Sequence, residues 1–155
     1  MSRLLALDVG DRRVGVAVGD TATRVVRPLT TFRRGTLERD AEVVARLATE
    51  QRASQLVIGL PLDVRGSEGE QARRTRTWGD ELAARTGLAT TWRDERLTTV
   101  SAEARQPRLR RNRSMGDPTR ASIRARRTRV DQDAAVEILR AELAARAASA
   151  EPRGG

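Results

Sequence analysis

Residues 3–20, the run RLLALDVGDRRVGVAVGD, constrain the fold more than any other stretch of this chain. The apolar residues 4–7 form a buried-strand run, and Asp8 stands at its end. Gly10 and Gly15 bracket a charged turn, after which valines alternate with small residues as in a neighbouring strand. The pattern predicts a carboxylate at the rim of a sheet, where a metal or a phosphate can bind without burial of an unpaired charge. Asp is also a common turn residue, so a purely structural role for Asp8 stays open.

The remainder of the chain alternates strands and helices. Apolar runs predict strands at 28–32, 55–59 and 89–93, and helical spacing predicts helices at 36–52, 70–85, about 98–104 and 130–148. Thr36 is the expected N-cap of the first helix, and Gly87 is expected to end the second. The order predicts an α/β fold with a mixed five-stranded sheet, in which a three-strand meander precedes parallel strands, flanked by helices.

Composition excludes several kinds of site. Cysteine, histidine and tyrosine are absent, which removes thiolate chemistry, the usual general base and histidine-containing metal sites. If the protein is an enzyme, its reactive groups are carboxylates, which suit hard cations such as Mg²⁺ or Mn²⁺. No signal peptide and no apolar run of membrane-spanning length are evident, so we expect a cytoplasmic protein without a membrane partner.

Positive charge is concentrated in one segment. Residues 105–129 hold ten arginines and one acid, Asp117, so this segment carries +9, the formal net charge of the whole chain. Such a block suits the phosphate backbone of a nucleic acid, although a solubilising loop is the alternative. We expect the segment to be mobile without ligand, and residues 147–155 to be a flexible tail after a single domain over 1–146. The candidate contacts to nucleic acid are Arg108, Arg110, Arg111, Arg113, Arg124, Arg126 and Arg127.

Acidic residues follow two predicted strands and open the last helix. Asp8 follows the first strand and Glu95 the last, and the carboxyl ends of parallel strands share one edge of a sheet. Asp131 and Asp133 lie in the first turn of the final helix, about 200° apart, so only one can face that edge. Asp131 shares the apolar side of the helix and is preferred, with Asp133 as its substitute. Either acid could simply favour the helix N-terminus.

Taken together, these segments resemble the YqgF/RuvX family of Holliday-junction-resolvase-like nucleases, which have an RNase H-like fold. The resemblance runs from about residue 3 to 140. It rests on DVG at 8–10, GVAV at 15–18, GLPL at 59–62 with Gly66, DERLTT at 94–99, and VD at 130–131 with AA at 134–135. The segment before the last helix departs from the family, because it is rich in arginine where relatives often carry lysine.

The resemblance implies a nuclease whose Asp8, Glu95 and Asp131 bind divalent metal. It also implies either cleavage of branched DNA in recombination and repair or maturation of the 5′ end of the pre-16S ribosomal RNA. Two metal ions about 4 Å apart would hold the attacking and leaving oxygens of a phosphodiester in line.

Other functions remain open at the level of sequence. The main alternative is a non-catalytic RNA-binding factor for ribosome assembly, with structural acids. An Asp-x-Gly turn also occurs in actin-like and hexokinase-like ATPases, but those need two domains around a cleft. A junction resolvase would act as a two-fold homodimer, for which Trp78 or Phe32 could supply an apolar patch.

Overall fold

The computed structural model describes residues 2–62, 65–94 and 120–150, with side chains in the last range described from residue 131 onward. Five strands form one sheet in the order β3-β2-β1-β4-β5, with β1 at its centre. β1, β2 and β3 are antiparallel, whereas β4 and β5 add to β1 in parallel. The elements are β1 (Arg3–Val9), β2 (Arg13–Asp20), β3 (Val26–Arg33), α1 (Leu37–Gln51), β4 (Ala53–Leu60), α2 (Glu70–Thr86), β5 (Ala89–Asp94) and α3 (Arg120–Ala150).

The expected mixed five-stranded sheet is confirmed, and so are the two predicted caps. The hydroxyl of Thr36 accepts a hydrogen bond from the backbone N–H of Arg39, and α2 ends at Gly87, whose φ of 74° is left-handed. The expected short helix at about 98–104 lies outside the described residues. The predicted start of the last helix is wrong, since α3 begins at Arg120 and not at Val130. Arginine and alanine have high helix propensity, so a run of arginines after Pro118 extends the helix without interrupting it.

Side chains alternate between two cores on opposite faces of the sheet. On β1, Leu5 and Leu7 pack with α1 and α2, whereas Leu4 and Ala6 pack against α3. Trp78 is only 8% exposed and belongs to the first core, and Phe32 packs against it. Burial of Trp78 leaves little of its ring for the apolar dimer patch considered above, whereas Phe32 is only partly buried, so a patch at Phe32 stays a prediction. Among the described residues, no helix combines the length and the apolar character needed to cross a membrane.

Candidate metal and nucleic-acid site

Asp8 lies near the carboxyl end of the central strand. It follows Leu4 and Ala6 in the strand alternation, so its side chain shares the face of the sheet that α3 covers. The residue is half-buried and stands directly opposite Gly15 of β2. Within the described part of the chain, no hydrogen bond or ion pair engages its carboxylate. Asp8 is thus a rigidly held acid whose oxygens can accept a ligand.

Asp131 reaches the same place through the packing of α3 on Gly15. A Cβ atom at residue 15 would lie 2.1 Å from the carbonyl oxygen of Asp131 and 2.4 Å from its carbonyl carbon, so only glycine permits this approach. Opposite residues of an antiparallel pair have Cα atoms about 4.5–5.5 Å apart. Since Gly15 is opposite Asp8, the start of the packed part of α3 is adjacent to Asp8.

A second close approach fixes the direction of α3. A Cβ atom at Gly19 would lie 2.9 Å from a methyl group of Leu139. The contacts of Gly15 with Asp131 and of Gly19 with Leu139 show that α3 runs parallel to β2. The helix therefore continues backward from Asp131, over residues 120–130, toward the edge of the sheet where β1 ends.

The two acids of α3 differ in their surroundings. Asp131 is half-buried beside Gly15, whereas Asp133 is exposed. Of the two, Asp131 lies next to Asp8. This agrees with its position on the apolar side of the helix.

Several predicted site residues lie outside the described residues. Glu95 is one of them, although β5 ends at the preceding residue, Asp94, at the same edge of the sheet as Asp8. Among the described residues, no cluster of three potential metal ligands occurs. Of the candidate nucleic-acid contacts, Arg108, Arg110, Arg111 and Arg113 lie outside the described chain, and Arg124, Arg126 and Arg127 belong to α3 with undescribed side chains.

Ion pairs around the buried Glu142 connect α3 to β4 and β5. Glu142 of α3 is 3% exposed and accepts hydrogen bonds from Arg93 and, at 2.7 Å, from Arg146. Arg146 also donates to the side-chain oxygen of Gln55 at 2.6 Å. Burial by itself would raise the pKa of Glu142, but the hydrogen bonds from Arg146 and Arg93 outweigh it and lower that pKa. These contacts anchor the strand end that precedes Glu95 to the helix that carries Asp131.

The turn after Asp8 is braced from the opposite face of the sheet. Arg34 donates to the carbonyl oxygen of Gly10 at 2.9 Å, and its guanidinium lies 5.5 Å from the centroid of the Trp78 ring. Asp40, only 2% exposed, accepts from the indole N–H of Trp78 at 3.2 Å and from the backbone N–H of Gly35 at 2.9 Å. These contacts hold the β1–β2 turn against α1 and α2.

Comparison with known proteins agrees with this architecture. The family model described as "RuvX: Holliday junction resolvase" matches residues 2–145. The chain belongs to the RuvX family. It is 41% identical over 137 residues to a protein of Anaeromyxobacter sp. (strain Fw109-5) named "Putative pre-16S rRNA nuclease", with 88% of this chain and 93% of the relative covered.

Two solved resolvases share the RNase H-like fold of this chain. T. thermophilus RuvC in complex with a Holliday junction substrate matches with a TM-score of 0.55 at 14% identity, over 98% of this chain and 99% of that one. The fowlpox virus Holliday junction resolvase matches with a TM-score of 0.50 at 10% identity, over 92% and 99%. At these identities the likeness establishes the fold alone. The family of nucleases and resolvases to which the chain belongs acts on nucleic acid.

Sequence reasoning missed the residues that connect the elements around the candidate site. Arg93 and Glu142 are 49 positions apart, and no local pattern joins them. Asp40 did carry a signal, because an acid interrupts the apolar stripe of α1 next to Ala41. The sequence indicates Gly15 as a residue next to a turn, but its close packing against the backbone of α3 depends on a long-range contact.

Proposed function

We propose that this protein is a divalent-metal-dependent endonuclease that hydrolyses phosphodiester bonds in structured nucleic acid. The observation that carries the proposal is the approach of Asp131 to Gly15, directly opposite Asp8. It brings two acids, 123 positions apart in sequence, to one edge of the sheet, next to the end of β5.

The donor set fits Mg²⁺ or Mn²⁺. Asp8 and Asp131 are half-buried carboxylates, and hard cations prefer carboxylate oxygens. We propose that these two acids, together with Glu95 after β5, hold the metal. When bound, such an ion supplies charge stabilisation at the phosphate oxygens and makes a water molecule more acidic.

The protein's own contribution is to orient the acids and to hold the substrate. β1 fixes Asp8 as part of a central strand, and Gly15 fixes the position of Asp131 against it. We propose that the arginines of residues 105–129 bind the phosphate backbone, which positions the substrate independently of its sequence. Binding is then expected to weaken steeply as salt rises.

Similarity favours structured RNA over branched DNA as the substrate. The relative that is 41% identical over most of both chains bears a pre-16S rRNA nuclease name, whereas the RuvC likeness is at 14% identity. We therefore propose processing of the 5′ end of pre-16S rRNA, with cleavage of four-way DNA junctions as the second candidate because the family description names it. A resolvase needs two sites related by two-fold symmetry and hence a homodimer, whereas processing of one strand needs a single site.

A cleavage assay tests the proposal. A synthetic four-way DNA junction, a matched linear duplex and a structured pre-16S rRNA fragment are incubated with wild-type protein, with Mg²⁺ and with Mn²⁺. Asp8→Asn is expected to abolish cleavage and to keep binding. Asp11→Asn, which removes the same charge from the exposed turn after β1, is the matched control and is expected to retain cleavage.

Each outcome is informative. Cleavage of the RNA that is lost in Asp8→Asn supports RNA processing, and paired symmetric cuts in the junction support a dimeric resolvase. Cleavage retained by Asp8→Asn contradicts the proposed site. Binding of RNA without any cleavage contradicts the enzyme and favours a ribosome-assembly factor.

A further inference from the structure

Two arginines stand directly opposite each other where β2 begins and β3 ends. Arg13 of β2 is paired in register with Arg33 of β3. Arg13 is half-buried and Arg33 is exposed. Like charges at opposite positions of an antiparallel pair repel each other and destabilise the sheet. The Arg13–Arg33 pair therefore lowers the stability of the folded protein at this point of the sheet.

No acidic side chain pairs directly with either arginine within the described part of the chain. Neither guanidinium forms a hydrogen bond or an ion pair there. Other arginines behave differently, since Arg93 of β5 is bound by Glu142, and Arg34, directly after β3, donates to the carbonyl oxygen of Gly10. Arg13 and Arg33 thus keep their donors available to an anion from solution.

The pair lies on the same face of the sheet as the candidate site. Arg13 is two residues from Gly15 on β2, so both point to the face that carries Asp8 and the start of packed α3. Two residues of an extended strand span about 7 Å.

The backbone of α3 approaches the same edge. Because α3 runs parallel to β2, its turns over residues 120–130 continue from Asp131 in the direction that leads from Gly15 to Arg13. The helical part of the arginine-rich segment and the Arg13–Arg33 pair therefore lie on the same side of Asp8.

We propose that Arg13 and Arg33 form a phosphate-binding pair, which holds a backbone phosphate of the nucleic acid adjacent to the one at Asp8. Two planar guanidinium groups offer several donors to the oxygens of one phosphate, and binding neutralises the repulsion between them. The inference deepens the proposed function and depends on it. It adds the strand edge of β2 and β3 to the substrate-binding surface.

Binding of a four-way DNA junction and of a stem-loop RNA, measured over a range of salt concentrations, tests the pair. The measurement uses the Asp8→Asn protein, in which cleavage does not remove the probe. Arg13→Gln and Arg33→Gln are each expected to weaken binding roughly tenfold. The double variant should reduce the slope of log K against log salt by about one unit, the loss of one phosphate contact.

Arg27→Gln is the matched control. Arg27 lies on β3 as well, six residues from Arg33 and about 20 Å away along the strand, and it is exposed. The Arg27→Gln substitution removes the same formal charge and is expected to leave the slope of log K against log salt unchanged. If Arg13→Gln and Arg33→Gln match Arg27→Gln in affinity and slope, the pair is not a phosphate site.

Thermal unfolding of the free proteins separates binding from a structural role. Removal of either arginine relieves the repulsion, so each single variant is expected to raise Tm by about 1–2 °C while weakening binding. A lower Tm would contradict the inference. Failure of the proposed function is recognised separately, because it is decided by whether the wild-type protein cleaves and the Asp8→Asn protein does not, and not by the comparison among arginine variants.

Discussion

The carbonyl group of Asp131 lies against the Cα atom of Gly15, so closely that a side chain at residue 15 would overlap the backbone of α3. Gly15 is also the partner of Asp8 in the β1–β2 ladder. One glycine therefore sets the separation between the strand that carries one acid and the helix that carries the other.

Gly15→Ala is expected to displace α3 and to disable the site. The new Cβ would lie 2.1 Å from a backbone oxygen, which cannot move without the helix, so we expect a loss of about 3 kcal/mol in the free energy of unfolding. Gly19→Ala is the matched control, because its Cβ would meet a leucine side chain and not backbone, at 2.9 Å, with an expected loss of about 1 kcal/mol. Urea unfolding and a cleavage assay compare them. Equal losses in the two variants would contradict the special role of Gly15.

Asp131→Asn and Asp133→Asn are expected to separate the two acids of α3. Asp131 is half-buried beside Gly15, whereas Asp133 is exposed. Since the proposed metal site includes only Asp131, its substitution should reduce cleavage by about 100-fold or more, and Asp133→Asn should stay within about twofold of wild type. A larger loss of cleavage in Asp133→Asn than in Asp131→Asn would show that Asp133 is the metal ligand on α3. Circular dichroism of both variants checks that α3 is retained.

Glu142→Gln is expected to remove a pH-dependent part of the stability. Its carboxylate is buried between Arg93 and Arg146, which lower its pKa in the folded state. The stabilisation is therefore complete above the ordinary glutamate pKa of 4.5 and is lost as the pH falls through the lower folded value. At pH 7 the variant should lose about 2 kcal/mol. The arginines are about one-third exposed, which keeps the loss below that of a fully buried ion pair.

The comparison is made by urea unfolding from pH 7 down to about pH 3. Because protonated glutamate resembles glutamine, the difference between the two proteins should shrink as acid is added. A difference that is the same at both ends of this range would show that packing, and not charge, is the contribution of Glu142.

Asp40→Ala is expected to weaken the contacts that hold the β1–β2 turn against α1 and α2. It leaves the indole N–H of Trp78 and the backbone N–H of Gly35 without their acceptor in a buried position. Each unsatisfied buried donor costs about 1–3 kcal/mol, so a total loss of about 3 kcal/mol is expected. Glu38→Ala, an exposed acid in the same turn of α1, should cost less than about 0.5 kcal/mol. Similar losses in the free energy of unfolding for Asp40→Ala and Glu38→Ala would mean that the hydrogen bonds of Asp40 do not stabilise the protein measurably.

Local signals were sufficient to predict most of the fold. The strand that ends near Asp8, the cap at Thr36 and the end of α2 at Gly87 depend on residues within a few positions of one another. The position of Asp131 on the packed side of the final helix and of Asp133 on its exposed side follows from local periodicity too, whereas the choice of Asp131 as metal ligand stays a prediction.

Long-range contacts could not be predicted in this way. The start of α3 was misjudged because a run of arginines is compatible with either a loop or a helix, and tertiary context decides between them. The Arg93–Glu142 ion pair and the Arg13–Arg33 pairing depend on the strand register and on which helix covers which face. Neither is encoded by spacing alone.

The central claim is that Asp8 and Asp131 bind one divalent cation. Calorimetric titration of wild-type protein with Mn²⁺, beside Asp8→Asn, Asp131→Asn and the Asp133→Asn control, tests it most directly. The account predicts binding by wild type and Asp133→Asn, and a loss of affinity of about 100-fold or more in each of the other two variants. Unchanged Mn²⁺ affinity in Asp8→Asn would contradict the account.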